Sequence, residues 1–215
     1  MKHFSFLLFL TIAAVATPQV FAQKWEVGFG AGGSFLTSQT ITNPLGNADA
    51  TRDPGLALSA WLDNNIGNGL FGGELRYDHE NGDLKLSSNG ASTTFASQSN
   101  AVHYDFLFNF ASSESPIRPF VAAGGGVKWY TGTGAEQVYQ PLSDVAVFSD
   151  VRDVKALVSV GAGLKFNIAK STLLRLEVHD YLTPFPNKLI APVAGSSVGG
   201  WLQDFVVSAG LSFTF

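Results

Sequence analysis

From Trp25 onward, apolar and polar positions change places at almost every residue. Trp25, Val27, Phe29, Ala31 and Phe35 fall on one parity, and Glu26, Gly28, Gly30, Gly32 and Ser34 on the other. A period of two places these sets on opposite faces of a strand, where a helix would need a period of 3.6. The alternation recurs seven more times. Leu56, Leu58, Ala60 and Leu62 oppose Gly55, Ala57, Ser59 and Asp63; Phe71, Gly73, Leu75 and Tyr77 oppose Gly72, Glu74, Arg76 and Asp78. In the fourth run Val102, Tyr104, Phe106, Phe108 and Phe110 oppose His103, Asp105 and Asn109, with Leu107 out of pattern; aromatic and β-branched residues in such register favour a pleated surface. The fifth run sets Val121, Ala123, Val127 and Trp129 against Ala122, Gly124, Gly126 and Lys128, glycines that fit close packing or a bend in a curved wall. The sixth spans Val154 to Ile168 against Lys155, Ser159, Gly161, Gly163, Lys165 and Asn167. The seventh sets Leu174, Leu176 and Val178 against Arg175, Glu177 and His179, and the eighth runs from Phe205 to Phe215 against Asp204, Ser208, Gly210, Ser212 and Thr214.

The connectors between these eight strands sort by length. Residues 37–54, 81–100, 131–153 and 182–203 are long, whereas 64–69, 112–118 and 169–172 are short. In an up-and-down order every long connector then lies at one end of the object, and every short one lies with both termini at the other. The Ser, Asn and Thr content of 87–100 predicts a mobile loop there. No linker or charge run marks a second domain.

Two all-β architectures share this alternation: a soluble barrel around an apolar cavity, and a membrane barrel with an apolar exterior. Composition separates them. Charged residues are 14% of the chain and hydrophobic ones 46%, where a soluble domain averages about 25% charged. The polar parity is mostly Gly, Ala and Ser with a few charges, which suits a crowded lumen better than a water-facing wall. The apolar face is therefore expected to look outward, towards lipid. Runs near 10 residues long are sufficient to cross a bilayer as tilted strands, and closure leaves no backbone edge in the hydrocarbon. Trp25, Tyr77, Trp129, Phe166 and Phe213 stand near strand ends, where interfacial aromatic girdles sit.

The chain opens with Lys2 and His3, an apolar run from Phe4 to Val15, and Val20-Phe21-Ala22 before Gln23. This order of basic, apolar and small-residue regions is that of a secretory signal peptide, with cleavage expected after Ala22. It divides the chain into a signal peptide at 1–22 and a barrel domain at 23–215. The terminal Ser208-Ala209-Gly210-Leu211-Ser212-Phe213-Thr214-Phe215 has a polar residue, a glycine and two spaced aromatics, the last at the C-terminus.

Together these features resemble the small outer-membrane β-barrel family of OmpA-like and OmpX-like proteins, over essentially all of 24–215. The resemblance implies an eight-stranded antiparallel transmembrane barrel in the bacterial outer membrane, inserted by the barrel-assembly machinery. It makes Ser208, Gly210, Phe213 and Phe215 the assembly signal. It also implies contact with outer-membrane lipid, and an extracellular partner reached through four long loops. Members of that family that modify lipid A are enzymes, which keeps an enzymatic alternative open.

Candidate chemistry is confined to charges on the inward parity: Glu26, Glu74, Arg76, Asp78, Asp105, Lys128, Lys155, Lys165, Arg175 and Glu177, with Asp63 beside them. Mixed signs in similar number predict a salt-bridged lumen, not a ring of one sign. An eight-stranded wall is narrow enough for side chains to fill it. His103 with Asp105, and Glu177 with His179, are i, i+2 pairs on one strand face. No catalytic motif surrounds them, and buried hydrogen bonding is the expected role. Gly124-Gly125-Gly126 lacks the Lys-Ser or Lys-Thr of a phosphate loop. Absent cysteine excludes thiol chemistry and Cys-ligated zinc, and four scattered His offer no metal spacing. A net charge of -4 argues against nucleic acid. The expected protein is a non-enzymatic barrel without cofactor, serving a structural or surface-interaction role. A narrow solute channel is the alternative.

Overall fold

The structure is a computed structural model that describes residues 25–44, 46–135 and 139–215; the signal peptide expected at 1–22 lies outside them. Eight strands close into one antiparallel barrel. In chain order its walls are β1 (Trp25–Leu36), β4 (Gly55–Ile66), β5 (Phe71–Asn81), β8 (Ser97–Asn109), β9 (Ile117–Gly132), β11 (Arg152–Ala169), β12 (Thr172–Pro184) and β15 (Trp201–Thr214). Each pairs with its predecessor and successor, and β1 meets β15 from Glu26 opposite Thr214 to Leu36 opposite Asp204.

Inside and outside divide as the alternation dictates. On β4 the burial pattern switches at nearly every residue: Leu56, Leu58 and Leu62 are exposed, while Ala57, Ser59 and Asp63 are buried. Leu107 belongs to the inward face, where it packs with Phe120 and Ala122 as a small apolar floor.

Glycine is placed where the wall must be thin. Trp61, on the inward parity of β4, lays its indole across β1 and β15. A Cβ on Gly28 would collide with that ring, and one on Gly210 would come within 2.5 Å of it. Bare backbone at these points makes room for the largest side chain in the lumen.

Each of the four long connectors carries at least one short strand. Between barrel strands they form β2 (Gln39–Asn43), β3 (Gly46–Arg52), β6 (Leu84–Ser88), β7 (Ala91–Phe95), β10 (Ala146–Phe148), β13 (Ile190–Pro192) and β14 (Ser197–Val198). These assemble into a five-stranded sheet in the order β14-β2-β3-β6-β7 and a β10–β13 pair. The stretch 87–100, expected to be mobile, is the end of β6, then β7 and the start of β8. Its turn is Asn89-Gly90, with φ of 46° and 85°, the left-handed pair that a two-residue type I′ hairpin requires. The cap has its own core: Ile41, Leu84, Leu86, Phe95, Phe148 and Leu189 are buried together, joined by Tyr130 and Leu202 from the barrel rim. Phe95 and Phe148 stack with centroids 5.5 Å apart.

Candidate functional site

The polar parity of the wall converges on the lumen, and its charges form four tiers. Nearest the short connectors, Lys165 bridges Glu26 and Asp63, each at 2.8 Å. Arg118, also buried, donates to Gly69 O at 3.3 Å. One tier up, Arg175 is the hub. Its guanidinium reaches Asp63 at 3.1 Å, Glu26 at 3.5 Å, Glu177 at 2.7 Å and Glu74. Arg76 lies beside it, 3.3 Å from Glu74, 3.1 Å from Asp78 and 2.5 Å from Glu177; the last contact is an ion pair whose N–H direction misses the carboxylate. Both guanidinium groups stack on Trp61, with centroid distances of 5.2 Å for Arg76 and 4.7 Å for Arg175. Cation and ring thus share the space that two adjacent cations alone would contest.

The third tier is held by two histidines. His103 places Nδ1 3.0 Å from Asp105 and Nε2 3.2 Å from Asp78. Tyr181 donates its hydroxyl to Asp78 at 2.8 Å. Ser159 donates to Asp105 at 3.0 Å and stands 3.5 Å from Nδ1 of His179, whose Nε2 lies 3.8 Å from Glu177. A serine, a histidine and carboxylates are therefore neighbours, but the serine proton is directed at Asp105 and all three groups are fully buried.

The top tier closes the mouth. Lys128 bridges Glu80 at 2.7 Å and Asp204 at 2.6 Å. Arg52, from β3 of the cap, enters from above and takes the same two carboxylates at 2.6 and 2.7 Å, with Ser34 and Ser99 as further partners. Above it lies the apolar core of the cap.

The lumen thus brings together Glu74, Arg76, Asp78, Asp105, Lys128, Lys165, Arg175 and Glu177, along with Glu26 and Asp63. Lys155 is not among them. It stands where the wall gives way to the cap, its side chain 15% exposed, and pairs with Asp153 at 3.1 Å and Asn187 at 2.8 Å. Its ladder neighbour on β9 is Lys128, which already holds the lumenal carboxylates Glu80 and Asp204. Sequence reading passed over Arg52, Glu80 and Arg118, and set Asp204 on the polar parity without counting it among the lumenal charges. Glu80 and Asp204 continue the inward parities of their own strands, so their positions carried the signal; Arg52 sits in a connector whose fold no periodicity announces.

At the C-terminus, Ser208 donates to Glu177 at 3.1 Å, Gly210 lies under Trp61, and Phe213 and Phe215 project outward.

No family model matches this sequence, and no curated protein matches it. Among solved structures, the chain is similar to Neisserial surface protein A, with 12% identity over 89% of this chain and 97% of that one and a TM-score of 0.57. It is also similar to the outer membrane protein OprG from Pseudomonas aeruginosa, with 11% identity over 89% and 97% and a TM-score of 0.58. The outer membrane protein AlkL, solved in lipid bilayers, aligns at 16% identity over 93% and 94%, with a TM-score of 0.52. The shared feature is the fold, that of the small eight-stranded outer-membrane barrels.

Proposed function

Proceeding from that fold, we propose that this chain is a bacterial outer-membrane barrel whose lumen is closed and whose work is done by its surfaces: the lipid-facing wall and the ordered cap. The carrying observation is the packing of the lumen. Glu26, Asp63, Glu74, Asp78, Asp105, Lys128, Lys165 and Arg175 are each 0% exposed. Buried to this degree and ion-paired with one another, these charges support a lumen that holds no water column. Pairing in so dry a space is what allows ions to remain there. Arg52 and the cap core then occupy the mouth.

In this reading the chain is not an enzyme and needs no cofactor. Its C-terminal octapeptide engages the barrel-assembly machinery, and its cap presents a five-stranded sheet to an extracellular partner. Planar-bilayer recording of the purified protein tests closure. Silence at the nanosiemens scale is expected, and steady open steps at that scale would transfer the choice to a solute channel. Fractionation tests location: recovery in the soluble periplasmic fraction would refute the membrane reading.

A further inference from the structure

One carboxylate breaks the division of the wall. Among the described residues, every Asp and Glu on the eight barrel strands is turned inward except Asp180, which shares the outward parity of β12 with Leu176 and Val178. Its neighbours across the ladder are Val160 on β11 and Phe205 on β15. Oδ2 accepts a hydrogen bond from Gln203 at 3.3 Å, and Oδ1 has no hydrogen-bond partner. No ion pair of Asp180 forms among the described residues. A carboxylate held among apolar side chains on a lipid-facing wall is costly, and its retention points to a partner.

Asp180 also stands near one end of a trough. A groove of about 690 Å³ runs across the outer wall, and Asp180 is the one charged residue lining it. It follows a continuous hydrogen-bonded row, from Phe106 through Ala123 and Val160 to Asp180 and Phe205. Its floor is low because Ala123 and Ala162 are small, and aromatic rings stand at both ends. Four inter-strand steps make it about 19 Å long, comparable with the roughly 15 Å depth of one leaflet's hydrocarbon. Phe106 lies near the short-connector end of β8 and Asp180 nearer the long-connector end of β12, so the trough climbs obliquely towards the carboxylate.

We propose that this trough is a binding site for an amphiphile whose head carries a primary ammonium, with one acyl chain along the Ala123–Ala162 floor and the ammonium on Asp180; phosphatidylethanolamine serves as the probe of that chemistry. The pairing is one of charge complementarity: an acceptor without a cation beside an apolar channel selects an amphiphile with N–H donors at its head. It rests on the reading that the wall faces lipid.

The test reconstitutes the folded protein into vesicles of equimolar phosphatidylcholine and phosphatidylethanolamine, extracts it with mild detergent and quantifies the retained lipid by mass spectrometry. Wild type is expected to retain the ammonium lipid about tenfold over the choline lipid, and stepwise N-methylation of the head should erode that ratio in the wild-type protein itself. Asp180→Asn should bring the ratio to about one, and Ala162→Phe should lower retention of both lipids by filling the floor. Equal retention of both lipids by wild type, or undiminished enrichment in Asp180→Asn, would overturn the proposal. Failure of wild type to insert into the vesicles at all would instead strike the membrane reading on which it stands.

Discussion

The guanidinium of Arg52 lies 2.7 Å from the carboxylate of Asp204, 152 residues away in the chain. One belongs to a cap strand and the other to the last wall strand, and their contact ties the cap to the barrel mouth. Glu80 and Lys128 complete the knot, so that two cations and two carboxylates alternate around one buried centre. The cap and the lumen are in this way one folded unit, with the apolar cap core continuing where the charges stop.

Arg52→Met tests that tie. It leaves Glu80 and Asp204 with Lys128 as their remaining cation in a site closed to water, and removing one member of a buried pair costs about 3 kcal/mol or more. Urea unfolding in vesicles should register that loss, and limited proteolysis should cut the β2–β3 hairpin faster than in wild type. A loss under about 1 kcal/mol with unchanged proteolysis would mean that Arg52 does not occupy the mouth.

Arg175 contacts four carboxylates, whereas Glu74 contacts two guanidinium groups that each keep other partners. Arg175→Met should therefore destabilise by about 3 to 5 kcal/mol, and Glu74→Gln by less. Because the two residues share a contact, the double variant should lose less than the two single losses added together. Strict additivity in the same unfolding assay would contradict the pairing.

How much of this was legible beforehand follows from what a strand period can carry. Period two is a property of each strand alone, so the wall, its inward face and the positions of Glu74, Arg76, Lys165 and Arg175 can be read without knowing any neighbour. Partners are a different matter. Lys165 meets Glu26 at a separation of 139 residues, and only closure of the barrel sets which charges share a level. Lys155 has the right parity but lies across the ladder from Lys128 and pairs with Asp153 instead. The cap was hidden because its strands are 2 to 7 residues long, too short for alternation to stand out from a Ser- and Thr-rich stretch, although Asn89-Gly90 carried the hairpin signal. Asp180 lies one residue beyond the part of β12 that alternates cleanly in sequence, and so was assigned to neither face of the strand.

Phe108→Arg probes the direction of the wall. Phe108 faces outward on β8, its ring 5.3 Å from that of Phe71 on the neighbouring strand. Phe108 lies towards the short-connector end of β8, so in lipid a cation there costs less than the full midplane penalty, about 1 to 3 kcal/mol; at a water-facing surface the change would be nearly neutral. Reversible folding into vesicles separates the two, and a loss below about 1 kcal/mol would place the outer face in water.

Phe215 separates assembly from stability. Its backbone closes the β1–β15 seam, donating from N to Trp25 O at 3.0 Å and accepting from Trp25 N at 3.2 Å, but its ring is 68% exposed and contributes little packing. Phe215→Ala keeps both backbone bonds and removes the ring alone. Stability of the refolded barrel should then change by no more than about 0.5 kcal/mol, as at other surface positions, while the yield in cell membranes should fall sharply if the terminal aromatic is what the assembly machinery recognises. Deleting the residue outright adds the loss of the two seam bonds, about 1 kcal/mol each, and should therefore lower both measures. Equal membrane yields for wild type and Phe215→Ala would remove the recognition role and leave Phe215 as the last rung of the ladder.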